Sequence, residues 1–531
     1  MLENLEKLLA ESHLKNTCPL FDCLMRGIEK ENLRVTGDSQ LSHAPHPRSL
    51  GKALTHPVIT TDFSESLTEV MTPPVRGRKN LFSSLEHISA YAWHHLSGSS
   101  LLGSESHQEY FWPMSMPVAV SYEDDIPIAN YGKSHVGQFK SLYREGLAQR
   151  YGKKMQIIAG IHYNFSFPEF FFQGLFPGQT KSDIYFVLLR NFYKNYWILP
   201  YLFGASPACD QSFLEDKNLD FKNNFLEKFL DHSFIGEYAT SLRMSDIGYQ
   251  NSAQSDILVS LNNSHEYSKT LGQAVDQIYP PYQKLNPHLQ LNNHLLQIEN
   301  EYYSPIRPKQ LTEPGERPTQ ALCRRGVRYM EIRVLDLNPF TPLGITPTQS
   351  AFLDVFLTYC ALGSQELIEK KDLLIYKNNF KQVVSFGRDP HCELILANKN
   401  INLKDAAYEL IRKLLPLAKI MDAGSGLKHQ DFEQAVLLEL EKIEDVRKTP
   451  SHQILNLMSE RNMSHTEFGS AQALAHQAYF EEIVLSPCLA KQMDAMTAQS
   501  IKDEQAEVLL SKESFEAYLK NYFDAPRSCQ G

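Results

Sequence analysis

The chain has 531 residues, enough at roughly 150 per domain for three or four domain-sized units and a large core. Lys and Arg number 52 against 62 Asp and Glu, and the net charge of −10 opposes a sequence-independent grip on nucleic acid or on an anionic membrane surface. With 42% hydrophobic and 11% aromatic residues, the chain carries more apolar content than a disordered one and reads as globular.

At the N-terminus Leu2, Leu5, Leu8 and Leu9 share one face of a charged helix, without the basic and apolar regions of a signal peptide. A first strand is predicted over 27–35, where alternation puts Glu29 and Glu31 on the same face. Asp62 and Glu69 follow, seven apart, a spacing that shares one face of a helix. Their β-branched flanks equally allow two short strands with a bend between them. Helices are predicted over 80–96 and 138–153. A strand over 155–167 then places Gln156, His162, Asn164 and Ser166 opposite Ile157, Ile161, Tyr163, Phe165 and Phe167.

The helix over 182–198 begins the most apolar stretch, but Arg190 and Lys194 interrupt it, and it falls short of the ~20 apolar residues a membrane span needs. Strands are predicted over 291–303 and 327–335. Arg307 stands between Pro305 and Pro308, a stiff mount suited to a phosphate contact. In the last strand Glu331 and Arg333 share a face, with Met330, Ile332 and Val334 packed behind. Beyond 341–344 the texture turns helical, over 347–362, 403–421, 431–447 and 464–480, with no polar cluster. The fold class is therefore α+β, with a core over 1–345 and a helical region over 346–531 packed on it.

The eight cysteines are scattered, with no C-x-x-C pair, and are expected to be reduced thiols of a cytoplasmic protein. There is no fixed-period repeat, P-loop or Rossmann fingerprint.

Each acidic pair alone reads best as a solvated surface feature, and His162 as a hydrogen-bonded sheet residue. Together, Glu29, Glu31, Asp62, Glu69, His162 and Glu331 offer hard ligands for Mg²⁺ or Mn²⁺, and Arg307 and Arg333 offer contacts for phosphate. Carboxylate-bound cations with fixed arginines suit the movement of a γ-phosphoryl group where no P-loop exists. The residues point to ATP-dependent chemistry at a metal site.

The same segments resemble, in order, the glutamate–cysteine ligases of the proteobacterial type. They are GIEKENLRV (27–35), ALTH (53–56), ITTDF (59–63), WPMSMP (112–117), LYREGL (142–147), GIHYNFS (160–166), PYLFGASPA (200–208), ATSLR (239–243), DIGY (246–249), QIENE (297–301), PIRPK (305–309) and NPF (338–340). The resemblance spans roughly residues 20–345. It implies a glutamine-synthetase-like curved, mostly antiparallel sheet forming a funnel, surrounded by helices.

It also implies ATP-dependent ligation of the γ-carboxylate of L-glutamate to the amine of L-cysteine through γ-glutamyl phosphate. On that resemblance Glu29, Glu31, Asp62, Glu69, His162 and Glu331 hold two or three Mg²⁺, with Mn²⁺ as an alternative, and Arg307 and Arg333 clamp the ATP phosphates. Tyr143, Arg243, Tyr249 and Tyr303 form the cysteine pocket, and Arg144, Gln156 and Asn164 orient the amino acids. Nucleic acid, membrane and an obligatory protein partner are not expected. A ligase of the same fold with another amine, or a silent metal-binding regulator, are the competing readings.

Overall fold

The computed structural model describes residue 5 and residues 19–96, 109–215, 225–230, 232–248, 252–313, 315–426 and 431–525. Of the expected N-terminal helix only Leu5 is described, helical and buried; Leu2, Leu8 and Leu9 lie outside the described residues.

Thirteen strands are described. β1 (Met25–Thr36), β2 (Ile59–Thr61), β3 (Leu67–Met71), β4 (Val75–Arg76), β5 (Glu109–Trp112), β6 (Ile161–Ser166), β10 (Ile306–Lys309) and β11 (Tyr329–Leu335) form the main sheet. Its order is β10-β11-β6-β1-β3-β2, with β4 and β5 also pairing β1, and every pairing is antiparallel. β7 (Ala208–Asp210), β8 (Glu227–Phe229) and β9 (Ser233–Ile235) make a small second sheet. β12 (Glu393–Leu396) and β13 (Lys399–Asn402) form a hairpin turned by Ala397 and Asn398 at φ 49° and 60°. That hairpin interrupts the helical texture of the C-terminal region and was not anticipated: the mirror-image turn rests on Asn tolerating positive φ, a weaker signal than helical periodicity.

Period-two alternation in β6 and β11 sorts apolar and polar residues onto two faces, and β1 between them turns Glu29 and Glu31 to one face and Ile28 to the other. Ile28, Tyr163, Phe165, Met330 and Ile332 go to the helix-covered face and are buried. There the helix Pro347–Ala361 is tied to the sheet by Asp354, which takes a 2.7 Å bond from Arg26 Nη2 and a 3.0 Å bond from the Tyr163 hydroxyl. The same carboxylate lies 3.1 Å from Arg78 Nη1 in the helix Arg78–Leu96. One hydrophobic core holds residues of the sheet and of the C-terminal helices together, from Ile28 and Tyr163 to Phe352, Leu414 and Phe480.

Two predicted strands are altered. Residues 155–160 are not strand: a short helix, Lys153–Gln156, precedes a turn, and β6 begins at Ile161. Residues 291–303 are irregular with a single 3₁₀ turn, Glu299–Glu301. Their backbone is satisfied by side chains in place of a ladder: Leu291 N donates to Gln297 Oε1 at 3.0 Å and Gln297 N to Glu301 Oε2 at 2.5 Å. Arg150, buried with Glu301 at 3.0 Å, pins this segment to the helix His135–Tyr151. The predicted helix over 182–198 is divided into Lys181–Asn195 and Ile198–Phe203.

Cys23 and Cys323 are each disulfide-bonded, with no bridge between the two implied, and Cys209, Cys360, Cys392 and Cys488 stand outside any disulfide. This corrects the expectation of eight reduced cysteines, since spacing along the chain does not report proximity in space. Cys18 and Cys529 lie outside the described residues. No helix of the described residues is long and apolar enough to cross a membrane.

Candidate active site

On the opposite face of the sheet, register brings the acidic residues together. Glu29 pairs with His162 across β1–β6, and Glu31 with Glu69 across β1–β3. Glu331 pairs with Asn164 across β11–β6 and with Arg307 across β10–β11. Asp62 follows β2 in the tight bend to β3, its N–H donating to Leu67 O at 2.9 Å, so the strand–bend–strand alternative is the one realised.

One ligand atom each of Glu29, His162 and Glu331 lie within 4.8 Å of one another. His162 Nδ1 is 3.0 Å from Glu29 Oε2, and its Nε2 is 3.7 Å from Glu31 Oε1. Asn164 Nδ2 donates to Glu29 Oε1 at 2.7 Å, and the Gly160 N–H donates to Glu31 Oε2 at 2.6 Å. Gly160 leaves room for the Arg243 guanidinium: a Cβ at that position would stand 2.2 Å from Arg243 Nη2, and the arginine would have to move.

Like charges placed directly across a sheet repel. Burial raises Glu69 well above the usual carboxylate range, and Glu29, Asp62 and Glu31 add to it; burial likewise raises Glu31. Glu331 and Glu29 go the other way. Burial would raise Glu331, but Lys309, Arg333 and Arg307 hold it far below the ordinary range; burial would raise Glu29 too, but the hydrogen bond and charge of His162 together with Lys309 bring it down. Lys309 Nζ and Arg333 Nη1 each stand 3.5 Å from Glu331 Oε1.

Glu29, His162, Glu331, Lys309 and Arg333 line a cavity of about 220 Å³ with Asp62, Glu69, Tyr143, Arg144, Gln156, Tyr303 and Arg307, and Glu31 lies behind it against His162. Gln156 reaches it from its short helix, donating to the Tyr303 hydroxyl at 2.9 Å. Arg144 donates to Asp62 O and lies with its guanidinium 4.5 Å over the Tyr131 ring. Arg307 Nη2 donates to the carbonyls of Asn300 at 2.9 Å and Tyr302 at 2.6 Å. Arg243 belongs to an adjoining cavity of about 190 Å³, which shares Tyr303 and Arg333 with the first. It is buried, with Nη1 3.9 Å from Asp336 Oδ1. Tyr249 lies outside the described residues.

Three participants were not singled out from sequence. Lys309 shares a face with Arg307 two residues away, a period-two signal available in PIRPK. Lys140, on the helix His135–Tyr151, has no such signal; it lies outside the cavity lining and meets the site only through the charge of Glu69, while burial and the neighbouring Arg144 lower it to about 8. Asn300 lines the cavity from the irregular segment mistaken for a strand.

An antiparallel sheet whose polar face gathers carboxylates, a histidine and basic side chains, with cavities on either side, is equipped for a reaction between charged oxygen groups such as phosphoryl transfer. Comparison with known proteins gives the particular kind. The family model described as glutamate-cysteine ligase matches residues 9–383. A glutamate–cysteine ligase of Alcanivorax borkumensis is 43% identical over 94% of this chain and 95% of its own. One of Pseudomonas fluorescens is 44% identical over 88% of this chain and 87% of its own.

Among solved structures, glutamate–cysteine ligase from Francisella tularensis in complex with AMP superposes with a TM-score of 0.88 at 36% identity, covering 95% of this chain and 98% of that one. A bifunctional glutathione synthetase from Pasteurella multocida gives 0.71 at 25% identity, over 93% of this chain and 57% of that one. The chain belongs to the glutamate–cysteine ligase family, and its activity is the ATP-dependent joining of glutamate to cysteine, the first step of glutathione synthesis.

Proposed function

We propose that this cavity carries the reaction through γ-glutamyl phosphate, with Glu29, Glu31, Asp62, Glu69, His162 and Glu331 holding two or three Mg²⁺. The observation that carries the reading is the convergence of these groups: Glu31 faces Glu69 directly across the sheet, and ligand atoms of Glu29, His162 and Glu331 lie within 4.8 Å. The residues fit a cation. Glu331 Oε2 is buried without a hydrogen-bond partner, and the donors are hard oxygens with one imidazole. When bound, Mg²⁺ supplies neutralisation of the repulsion between glutamate's γ-carboxylate and the γ-phosphate of ATP; Mn²⁺ suits the same donors.

The sheet acts as a glutamine-synthetase-like funnel, with ATP on one side of the acidic centre and the acceptor amine on the other. A mostly apolar cavity of about 690 Å³ shares Glu29 with the centre and is lined by Met25, Met71, Asn164, Phe165 and Tyr329, walls suited to a nucleobase. Arg307, Arg333 and Lys309 gather at Glu331 and hold the transferring phosphoryl group. A γ-carboxylate oxygen of glutamate forms the new bond to phosphorus as the bond to ADP breaks. The free amine of cysteine then attacks the carbonyl carbon, phosphate leaves, and the amine nitrogen loses its extra proton.

On the acceptor side Arg243 meets a carboxylate with its two-donor fork, and Tyr143, Tyr249 and Tyr303 wall the thiol side chain. Arg144, Gln156 and Asn164 act by orienting. In this reading residues 1–345 carry the site, and 346–531 form the helical region packed on it. The test is hydroxylamine in place of cysteine, with ATP, Mg²⁺ and glutamate. The expected products are ADP, phosphate and glutamyl hydroxamate. AMP and pyrophosphate would mean adenylation and remove the phosphate roles of Arg307 and Arg333.

A further inference from the structure

The cavity beside Glu29 is not enclosed by the sheet alone. Leu489, Met493 and Met496, at i, i+4 and i+7 on one face of the long C-terminal helix Pro487–Leu510, line it together with Asn164, Phe165 and Tyr329. Resting on the assignment of that cavity to the nucleobase, we propose that this helix is part of the nucleotide site. Its face of Leu489, Met493 and Met496 closes over the base of ATP and sets nucleotide affinity and choice of base. Met493 is 3% exposed although it borders open volume, and Met496, at 37%, sits on the rim. Unbranched thioether side chains adapt to a flat ring and contribute favourable sulfur–ring contacts.

The helix is positioned to do this by contacts with the segment that leads into β2 and Asp62. Thr55 Oγ1 donates to Ser500 O at 2.6 Å, and the Lys52 N–H donates to Ser500 Oγ at 3.0 Å. The Tyr91 hydroxyl donates to Asp494 Oδ1 at 2.9 Å, and Lys52 Nζ pairs with Glu504 at 3.2 Å. Gly51, at φ 80°, lets the helix approach: a Cβ there would stand 2.3 Å from Ser500 Oγ and 3.0 Å from Thr497 O. His56 continues the link. Its Nδ1 accepts the N–H groups of Val58 at 3.3 Å and Ile59 at 3.0 Å, and Val58 lines the cavity beneath the helix. One element is thus tied both to the wall of the base cavity and to the strand that delivers Asp62.

The experiment is steady-state kinetics on the full chain carrying Met493→Ala, Met496→Trp, Tyr329→Ala or Ile501→Ala, with thermal melting as the folding control. Ile501 is on the same helix, does not line the cavity and should leave all constants unchanged. Met493→Ala and Met496→Trp are expected to raise the KM for ATP about tenfold and lower the preference for ATP over GTP, with the KM values for glutamate and cysteine within about twofold.

If Tyr329→Ala raises the KM for ATP while folded Met493→Ala and Met496→Trp leave it and the ATP-to-GTP preference unchanged, the base occupies the cavity without the helix, and the proposal falls alone. If none of the three moves it, the assignment of the cavity to the base falls, and the proposal with it. Met496→Trp adds bulk at a half-exposed rim and keeps the test open should Met493→Ala not fold.

Discussion

Glu69 is the residue whose position costs the protein most and explains its chemistry best. It stands across from Glu31 with Glu29 and Asp62 close by, so in the absence of a cation it favours its protonated form. A carboxyl raised in the folded state binds more protons folded than unfolded, so stability falls as pH rises through the window above the ordinary carboxylate value of 4.5. Glu31 acts in the same direction; Glu29 and Glu331, held low, act in the opposite one, and only below 4.5.

In EDTA, the stability measured by urea denaturation between pH 5 and 8 should therefore contain a falling component from Glu69 and Glu31, set against the rising one from His46, His56, His465 and His476, which burial holds low. Glu69→Gln should reduce the falling component by up to about 1.4 kcal/mol per pH unit. Added Mg²⁺ should reverse that component, since it binds the ionised ligands. An unchanged slope in Glu69→Gln would contradict the crowding. At Arg243 the expected effect is on substrate. Arg243→Lys keeps the charge and loses the planar fork, so KM for an amino-acid substrate should rise several-fold more than KM for ATP; equal losses would remove the carboxylate role.

At the scale of elements, what the sequence disclosed followed from periodicity. β6 and β11 carry a polar row opposite an apolar row, and in β1 the two-residue spacing alone puts Glu29 and Glu31 on one side, so the shared side of His162 and Asn164, of Glu331 and Arg333, and of Glu29 and Glu31 could be read directly. Gln156 was assigned to the same strand, yet it reaches the cavity from a helix, because the Gly152 break and the turn before Ile161 are local features without a period. Residues 291–303 have strand-like composition, but their backbone bonds go to Gln297 and Glu301, which no pattern announces.

Contacts made far along the chain were equally invisible. Asp354 holds Arg26, Tyr163 and Arg78 at the junction of sheet and helices, and nothing in its neighbourhood in sequence distinguishes it. Asp354→Asn leaves the buried Arg26 without its counter-charge and should destabilise the fold by about 3–5 kcal/mol while leaving the KM values of the remaining folded enzyme nearly unchanged. A loss below about 1 kcal/mol in chemical denaturation would contradict that role.

For the whole molecule, the arrangement is an acidic centre between two cavities of different character. The apolar one meets it at Glu29, and the one holding Arg243 meets it at Tyr303 and Arg333. Family membership extends beyond the motifs of the first 345 residues, since the relatives align over 88% or more of the chain, and the C-terminal helix Pro487–Leu510 supplies part of a wall.

The central claim is that phosphoryl transfer to glutamate's γ-carboxylate precedes attack by the amine, with cations and arginines screening the charges. Glutamate labelled with ¹⁸O in both γ-carboxylate oxygens tests it directly. During turnover with ATP, Mg²⁺ and cysteine, mass analysis of the released phosphate should show one ¹⁸O per γ-glutamylcysteine formed, carried over when the C–O bond of the acyl phosphate breaks. Unlabelled phosphate, or label appearing in AMP, would contradict it.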